Sequence, residues 1–408
     1  MELMATKYKT SELGKIPSDW HVLKLSSLGQ FYKGKGIKKD EVSPDGLKCV
    51  RYGELYTHYN NIIKHVKSHI PNEVAASSFK IQQGDILFAG SGETREEIGK
   101  SAALLTSETV YAGGDIVILR PRNNDSQLLG YLLNANIISK QKSLRGQGDA
   151  VVHIYPKGLG EILVPLPPTL TEQKAIAKAL SDVDELITKL EKLIEKKKAI
   201  KQGAVQELFQ PKRNWKTQPI REVAKYRRGS FPQPYGLAKW YDDISGTPFV
   251  QVVDVDDNKR LKKETKARIS KEGEKFSVFV PKGTIILTIQ GSIGRICITE
   301  YDAYVDRTLL IFESFLADFD KYFFMMSIFL KFEIEKEKAP GGIIKTITKQ
   351  ALSSFEISYP SLEEQLTISD IIQSMDSEIE LLGEKLSKLT IIKQGMMQEL
   401  LTGKTRLI

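Results

Sequence analysis

The stretch "IKQGAVQELF" at Ile200–Phe209 returns as "IKQGMMQELL" at Ile392–Leu401, 192 residues later. Laid over residues 360–401 at that constant shift, residues 168–209 give 16 identities in 42 positions without a gap. Pro168/Pro360, Glu172/Glu364, Gln173/Gln365 and Asp184/Asp376 are among the identities. A repeat of this length is a duplicated structural module. In a chain of 408 residues it predicts two separate cores, each tied to one copy.

Both copies open as a capping box, "PTLTEQ" from Pro168 and "PSLEEQ" from Pro360. Thr169 and Ser361 are placed to accept the backbone N–H three residues on, and Glu172 and Glu364 to reach back to the cap. Apolar residues then fall at Ile176, Leu180, Val183, Ile187, Leu190 and Ile194, and at Ile368, Ile372, Met375, Ile379, Leu382, Leu386 and Leu389. Their alternating spacing of four and three is a coiled-coil seam. The Glu and Lys between seam positions, as in "EKKK" at Glu195–Lys198, read as a solvated face. Stop signals follow at Pro211 and Gly403.

A helix of about 40 residues spans roughly 60 Å and can hold two domains apart. The first helix starts at the end of domain one, and the second at the end of domain two. If their seams pair, the second runs back along the first. The expected architecture is therefore two domains, 1–167 and 211–359, joined by helices in 168–210 and 360–408 that form an antiparallel, pseudo-twofold coiled coil. The domains match loosely, each beginning near a tryptophan (Trp20, Trp215). Each carries a Gly-led β-branched run closed by a Gly/Ser loop ("GDILFAGSG" from Gly84, "GTIILTIQGSIG" from Gly283) and then a strand-like segment at Tyr111 or Tyr304. Short β runs mixed with helical stretches imply α+β or α/β-type domains of similar fold with dissimilar loops.

Lys plus Arg exceed Asp plus Glu by 59 to 51, for a formal charge of +8, which favours a polyanionic partner. The longest apolar run, Tyr322–Leu330, falls far short of the roughly 20 residues of a membrane span. The N-terminal segment has no secretory apolar region. The two cysteines, Cys49 and Cys297, lie one in each half and read as reduced core residues. A cytoplasmic address is expected.

Together, "YKTSELGKIPSDWHVLKLSSLG", "GDIL" with "SG" and "IGK", "GTIILT" with "GSIGR", the junctions "VPLPPTLTEQ" and "SYPSLEEQ", and the duplicated helices resemble the DNA-specificity (S) subunit of Type I restriction-modification systems over essentially the whole chain. Pro168, Glu172 and Gln173, and Pro360, Glu364 and Gln365, match that family's domain-to-helix junctions; Tyr359 stands where the first copy has Pro167. The resemblance implies a non-catalytic subunit without a cofactor of its own. Its two target recognition domains would each read half of a bipartite, asymmetric site in double-stranded DNA, with the helices as ruler for the unread spacer. Two modification (methyltransferase) subunits binding S-adenosylmethionine would dock on it, and ATP-hydrolysing restriction subunits would complete the complex.

Reading bases takes cations on phosphates and Arg, Lys, Gln or Asn on base edges. The candidates in domain one are Lys33, Lys35, Arg51, Tyr52, Arg95, Arg145 and Gln147; in domain two they are Arg227, Arg228, Gln251, Lys259, Arg260, Gln290, Ser292 and Arg295. Lys38, Lys39, Lys262 and Lys263 flank them. Other motifs fail. "FAGSG" at Phe88–Gly92 imitates a methyltransferase glycine loop, but the chain has no Asn/Asp-Pro-Pro-aromatic tetrad. His65 and His69, four apart, lack the glutamate of a metalloprotease helix, and His58 and Cys49 complete no ligand spacing. "DVDDN" at Asp254–Asn258 has Lys259 and Thr265 where a calcium loop needs Gly and Glu. A self-sufficient DNA methyltransferase or nuclease is the alternative reading, and a coiled-coil connector with incidental charge a third.

Overall fold

The computed structural model describes residues 7–338 and 349–407. The chain divides into two compact units, residues 1–193 with 382–408 and residues 194–381, so each unit holds one domain and a stretch of both long helices.

In the first unit a five-stranded sheet runs in the order Gly29–Lys33, Ile116–Pro121, Ile86–Ala89, Ser101–Leu104, Ile62–Ile63. A four-stranded sheet runs Ser68–Ile70, Leu47–Val50, Val110–Ala112, Phe79–Ile81. The second unit repeats this order, without a counterpart of Ile62–Ile63 among the described residues, in Ala224–Arg228, Leu309–Phe315, Ile285–Thr288, Ile296–Ile298 and in Ala267–Ile269, Thr247–Val250, Ala303–Val305, Val278–Val280. Leu47–Val50 pairs parallel with Val110–Ala112, and Thr247–Val250 with Ala303–Val305, among otherwise mainly antiparallel ladders. The units therefore share a mixed α/β fold.

The central strands explain the continuous apolar runs. All of Ile86–Ala89 is buried: Ile86 and Phe88 join the core that holds Ile176 and Leu180 of the first long helix, while Leu87 and Ala89 turn to a second core beneath the four-stranded sheet. Ile285 and Leu287 likewise face the core with Ile368 and Ile372, and Ile286 the other. A strand covered on both faces has no polar side to show. Each such Ile, Leu or Phe contributes about 1.5–3 kcal/mol through burial.

The long helices are Leu170–Leu208 and Leu362–Leu400. Within the first unit, Ile176 and Leu180 share a core with Leu400 and Leu401, and farther along Asp184 pairs with Lys393. Within the second, Lys197 bonds Glu378 and Lys201 bonds Asp376, and Val205 shares a core with Ile368 and Ile372. In both, residue numbers rise on one helix as they fall on the other, so the pairing is antiparallel. Ile176, Leu180, Leu190, Ile368 and Ile372 are buried, and Val183, Ile187, Ile194, Met375, Ile379, Leu382, Leu386 and Leu389 half-buried. Off-seam Leu186, Leu381 and Ile391 are 52–65% exposed.

The caps form only in part. Thr169 Oγ1 and Ser361 Oγ accept the N–H of Glu172 (3.2 Å) and Glu364 (3.4 Å). The carboxylates do not return to the caps: Glu172 is taken by Arg406, which also pairs with Asp19, and Glu364 by Lys212. A full cationic charge outcompetes a backbone N–H for a carboxylate. Gln173 and Gln365 fasten helix to domain in the same way twice. Each accepts the N–H of Asp125 or Asp320 and donates to the carbonyl of Pro167 or Pro360.

Candidate nucleic-acid interface

In the first unit the strand Gly29–Lys33 ends at Gly34, where a Cβ would lie 1.9 Å from the Gly113 carbonyl. Only glycine permits that approach. It brings the loop after Lys33 against the turn at Gly113–Gly114 and opens a groove of about 640 Å³, lined by Gly36, Lys38, Lys39, Arg51, Tyr52 and His58 among others. Ile37 has a positive φ of 61°, unfavourable for a β-branched residue, and is held there because its side chain is buried beside Cys49, Ile70 and Ala75. The strained loop leaves Lys35, Lys38 and Lys39 exposed.

Arg51 occupies the junction between strand Leu47–Val50 and helix Tyr52–Thr57. Its N–H donates to the buried Glu54 carboxylate (2.9 Å), while its Nη2 lies 3.4 Å from the same group and its buried Nε has no partner among the described residues. From the same helix Tyr56 donates to the Ser91 carbonyl (3.2 Å), Ser91 Oγ bonds His153 Nδ1 (2.9 Å), and His153 stacks on the half-exposed Tyr155. This chain links the groove to the loop that carries Gln147. The loop is pinned: Arg95 donates to the carbonyls of Gly146 (3.0 Å) and Gly148 (3.2 Å), and Arg145 to those of Gln141 and Glu161. Beneath it, buried Lys142 donates to the Gly99 carbonyl (2.7 Å).

The second unit builds the corresponding surface with other side chains. Ala224–Arg228 leads into Gly229, where a Cβ would lie 2.3 Å from the Val305 carbonyl, so exposed Arg228 stands where Lys33 stands in the first unit. Gln251 follows strand Thr247–Val250; its N–H donates to buried Asp254 (2.8 Å) and its Nε2 to the hydroxyl of exposed Tyr235 (3.2 Å). Tyr235 packs on Phe231, over whose ring sits the Arg307 guanidinium (4.7 Å).

The sequence candidates thus separate by what their side chains do. Lys33, Lys35, Tyr52, Gln147, Arg227, Arg228, Gln290 and Ser292 are exposed, and Arg51 and Gln251 half-buried. Arg95, Arg145 and Arg295 brace loops, the last through Val255 and Asp257. Lys259 and Arg260 face the second long helix. Arg260 forms a bidentate pair with Glu380 (2.7 and 2.8 Å). Lys259 sits over Phe329, its pKa lowered by burial and then by Lys201. "FAGSG" is no open loop, since Ser91–Gly92 pairs with Val152–His153. Among the described residues no three His, Cys, Asp or Glu gather as a metal site.

Sequence reading passed over Tyr56, His153, Tyr235, Phe231 and Arg307. One signal was available: an acid three residues after the candidate, in "RYGE" from Arg51 and "QVVD" from Gln251.

Residues 17–202 and again 212–390 match the family described as "Type I restriction modification DNA specificity domain". The chain is 27% identical over 428 residues to the Type I restriction enzyme MjaVIII specificity subunit of Methanocaldococcus jannaschii, covering 96% of this chain and 94% of that protein. In fold it is similar to the Type-I restriction-modification system S subunit from M. genitalium, with a TM-score of 0.59, 16% identity and 97% and 99% of the two chains covered. It is also similar to a chain from a structure concerned with complex assembly and conformational transition of the type I R-M system, with a TM-score of 0.60, 17% identity and 96% and 99% covered.

Proposed function

The chain belongs to the Type I restriction-modification DNA specificity family and carries its domain twice, and we propose that it reads a bipartite, asymmetric site in double-stranded DNA, one half-site per domain. The observation that carries this reading is one strand order built twice with unlike side chains at matching places, Lys33 against Arg228 and Arg51 against Gln251. Equal scaffolds with unequal readers suit an asymmetric site. The helices act as ruler for the unread spacer.

Catalysis is assigned to partners: two modification subunits that bind S-adenosylmethionine, and restriction subunits that hydrolyse ATP. The off-seam apolar residues of the first unit, Leu186, Leu193, Ile391 and Ile392, are 40–64% exposed and supply a surface on which a modification subunit can dock. No described helix is long and apolar enough to cross a membrane.

The test incubates the purified chain with DNA and labelled S-adenosylmethionine, with and without the modification subunit. Methylation is expected only with the partner and at a split motif. Methyl transfer or cleavage by the chain alone would favour a self-sufficient enzyme. DNA affinity is expected to fall steeply as salt rises, through counterion release; no affinity at low salt would leave only a connector.

A further inference from the structure

Arg51 and Gln251 occupy one structural position in two domains. Each is the single residue between a strand paired parallel to its neighbour, Leu47–Val50 or Thr247–Val250, and a short helix. The strand's last carbonyl is used alike in both: Val50 accepts from Gly113 N and Val250 from Asp306 N. Each residue's own N–H is held by a buried carboxylate three positions on, Glu54 or Asp254. Backbone and anchor are therefore shared, and the side chain is what differs.

The Arg51 side chain is poorly explained by folding alone. Arg120 of the same unit meets a carboxylate squarely, Asp85 at 2.8 and 2.9 Å, and Arg95 and Arg145 are each satisfied by two backbone carbonyls. Among the described residues the Arg51 side chain makes one long contact, to Glu54, and its Nε has no partner, an arrangement that costs stability, yet it lines a basic, glycine-walled groove. Among the described residues the amide of Gln251 bonds the hydroxyl of Tyr235, itself 54% exposed. In a major groove a guanidinium pairs with O6 and N7 of guanine, and a glutamine amide with N6 and N7 of adenine.

We infer that Arg51 and Gln251 are the equivalent base-reading residues of the two domains, so that the half-site read by the first contains a guanine where the half-site read by the second contains an adenine. This rests on the bipartite reading above. Glu54 and Asp254 are positioning residues that present the readers.

The test maps methylated motifs in a host expressing the full chain with its modification partner. Arg51→Gln is expected to change one position of one half-site from guanine to adenine, and Gln251→Arg to make the converse change in the other, with the spacer and remaining bases unaltered. Arg51→Ala, whose folding is checked by thermal unfolding, is read by competition among four duplexes that differ at that position. Discrimination is expected to fall by about tenfold to a hundredfold there and nowhere else. A folded Arg51→Ala that keeps its discrimination, or a Gln variant whose motif is unchanged or altered in the wrong half, overturns the inference. An unsplit wild-type motif would instead overturn the bipartite reading.

Discussion

Lys142 shows how much a single position can reveal. Its ammonium is buried and among the described residues donates to one acceptor, the Gly99 carbonyl, and burial lowers its pKa to about 7, against about 10.4 in an unfolded chain. Glu96, Glu97, Lys100 and Lys393 line the same pocket. Between the two values the unfolded chain binds a proton that the native chain does not, so stability rises with pH from about 7 to 10. Below 7 both states are protonated and the slope vanishes. Lys142→Met removes this linkage. Relative to that variant, the wild type should gain on the order of 1 kcal/mol per pH unit between pH 7.5 and 9.5, measured by denaturant unfolding. Parallel stability curves would mean that the lysine does not titrate there. Lys142 lies at the foot of the loop that carries Arg145 and Gln147, its carbonyl accepting the N–H groups of Arg145 and Gly146.

At the scale of elements, the helix pair is specified by two polar interlocks rather than by its seam alone. Asp184 accepts from Tyr131 (2.7 Å) and Lys393. Asp376, 192 residues on, accepts from Tyr322 (3.0 Å) and Lys201. Each joins a domain to both helices. A seam of Ile and Leu is nearly as well filled after a heptad slip, whereas a half-buried charge pair would lose its partner, so polar contacts of this kind fix register. Asp184→Ala, which strands a lysine and a buried tyrosine hydroxyl, should cost roughly 2–3 kcal/mol and Asp184→Asn about 1. The Asp376 variants should follow the same order. Urea unfolding measures both, and a loss below about 0.5 kcal/mol for either alanine variant would show that the interlock carries no weight. The sequence exposed the seam because its period is local. It showed Asp184 and Asp376 only as repeat identities, since the tyrosines lie 53 and 54 residues away. For the same reason the sequence offers Arg260 as a DNA-binding candidate with no sign of its pairing with Glu380, and Glu172 as a capping residue with no sign of Arg406. Strand order was hidden because "DILFA" and "TIILT" are apolar on both faces and carry no alternation to set a register.

For the whole molecule, the proposed ruler makes a prediction that length alone does not. Seven residues inserted at matching points of both long helices keep the seam in step, add about 10.5 Å and turn the helix by only about 20° relative to the heptad repeat. Along a duplex with about 10.5 base pairs per turn of roughly 35 Å, that length is about three base pairs. The farther half-site is thereby carried about 100° around the axis while its reader turns far less. A one-heptad variant should therefore prefer a spacer longer by about three base pairs but bind it weakly. Three matched heptads add about 31.5 Å, or roughly nine base pairs, bringing the half-site nearly back to its starting face, and affinity should largely recover. An insertion in one helix alone mismatches the seams and should destabilise the pair. Binding to duplexes with graded spacers measures all three variants. An affinity that falls steadily with insertion length, or a preferred spacer that never moves, would leave the helices as connectors with no part in setting the distance between half-sites.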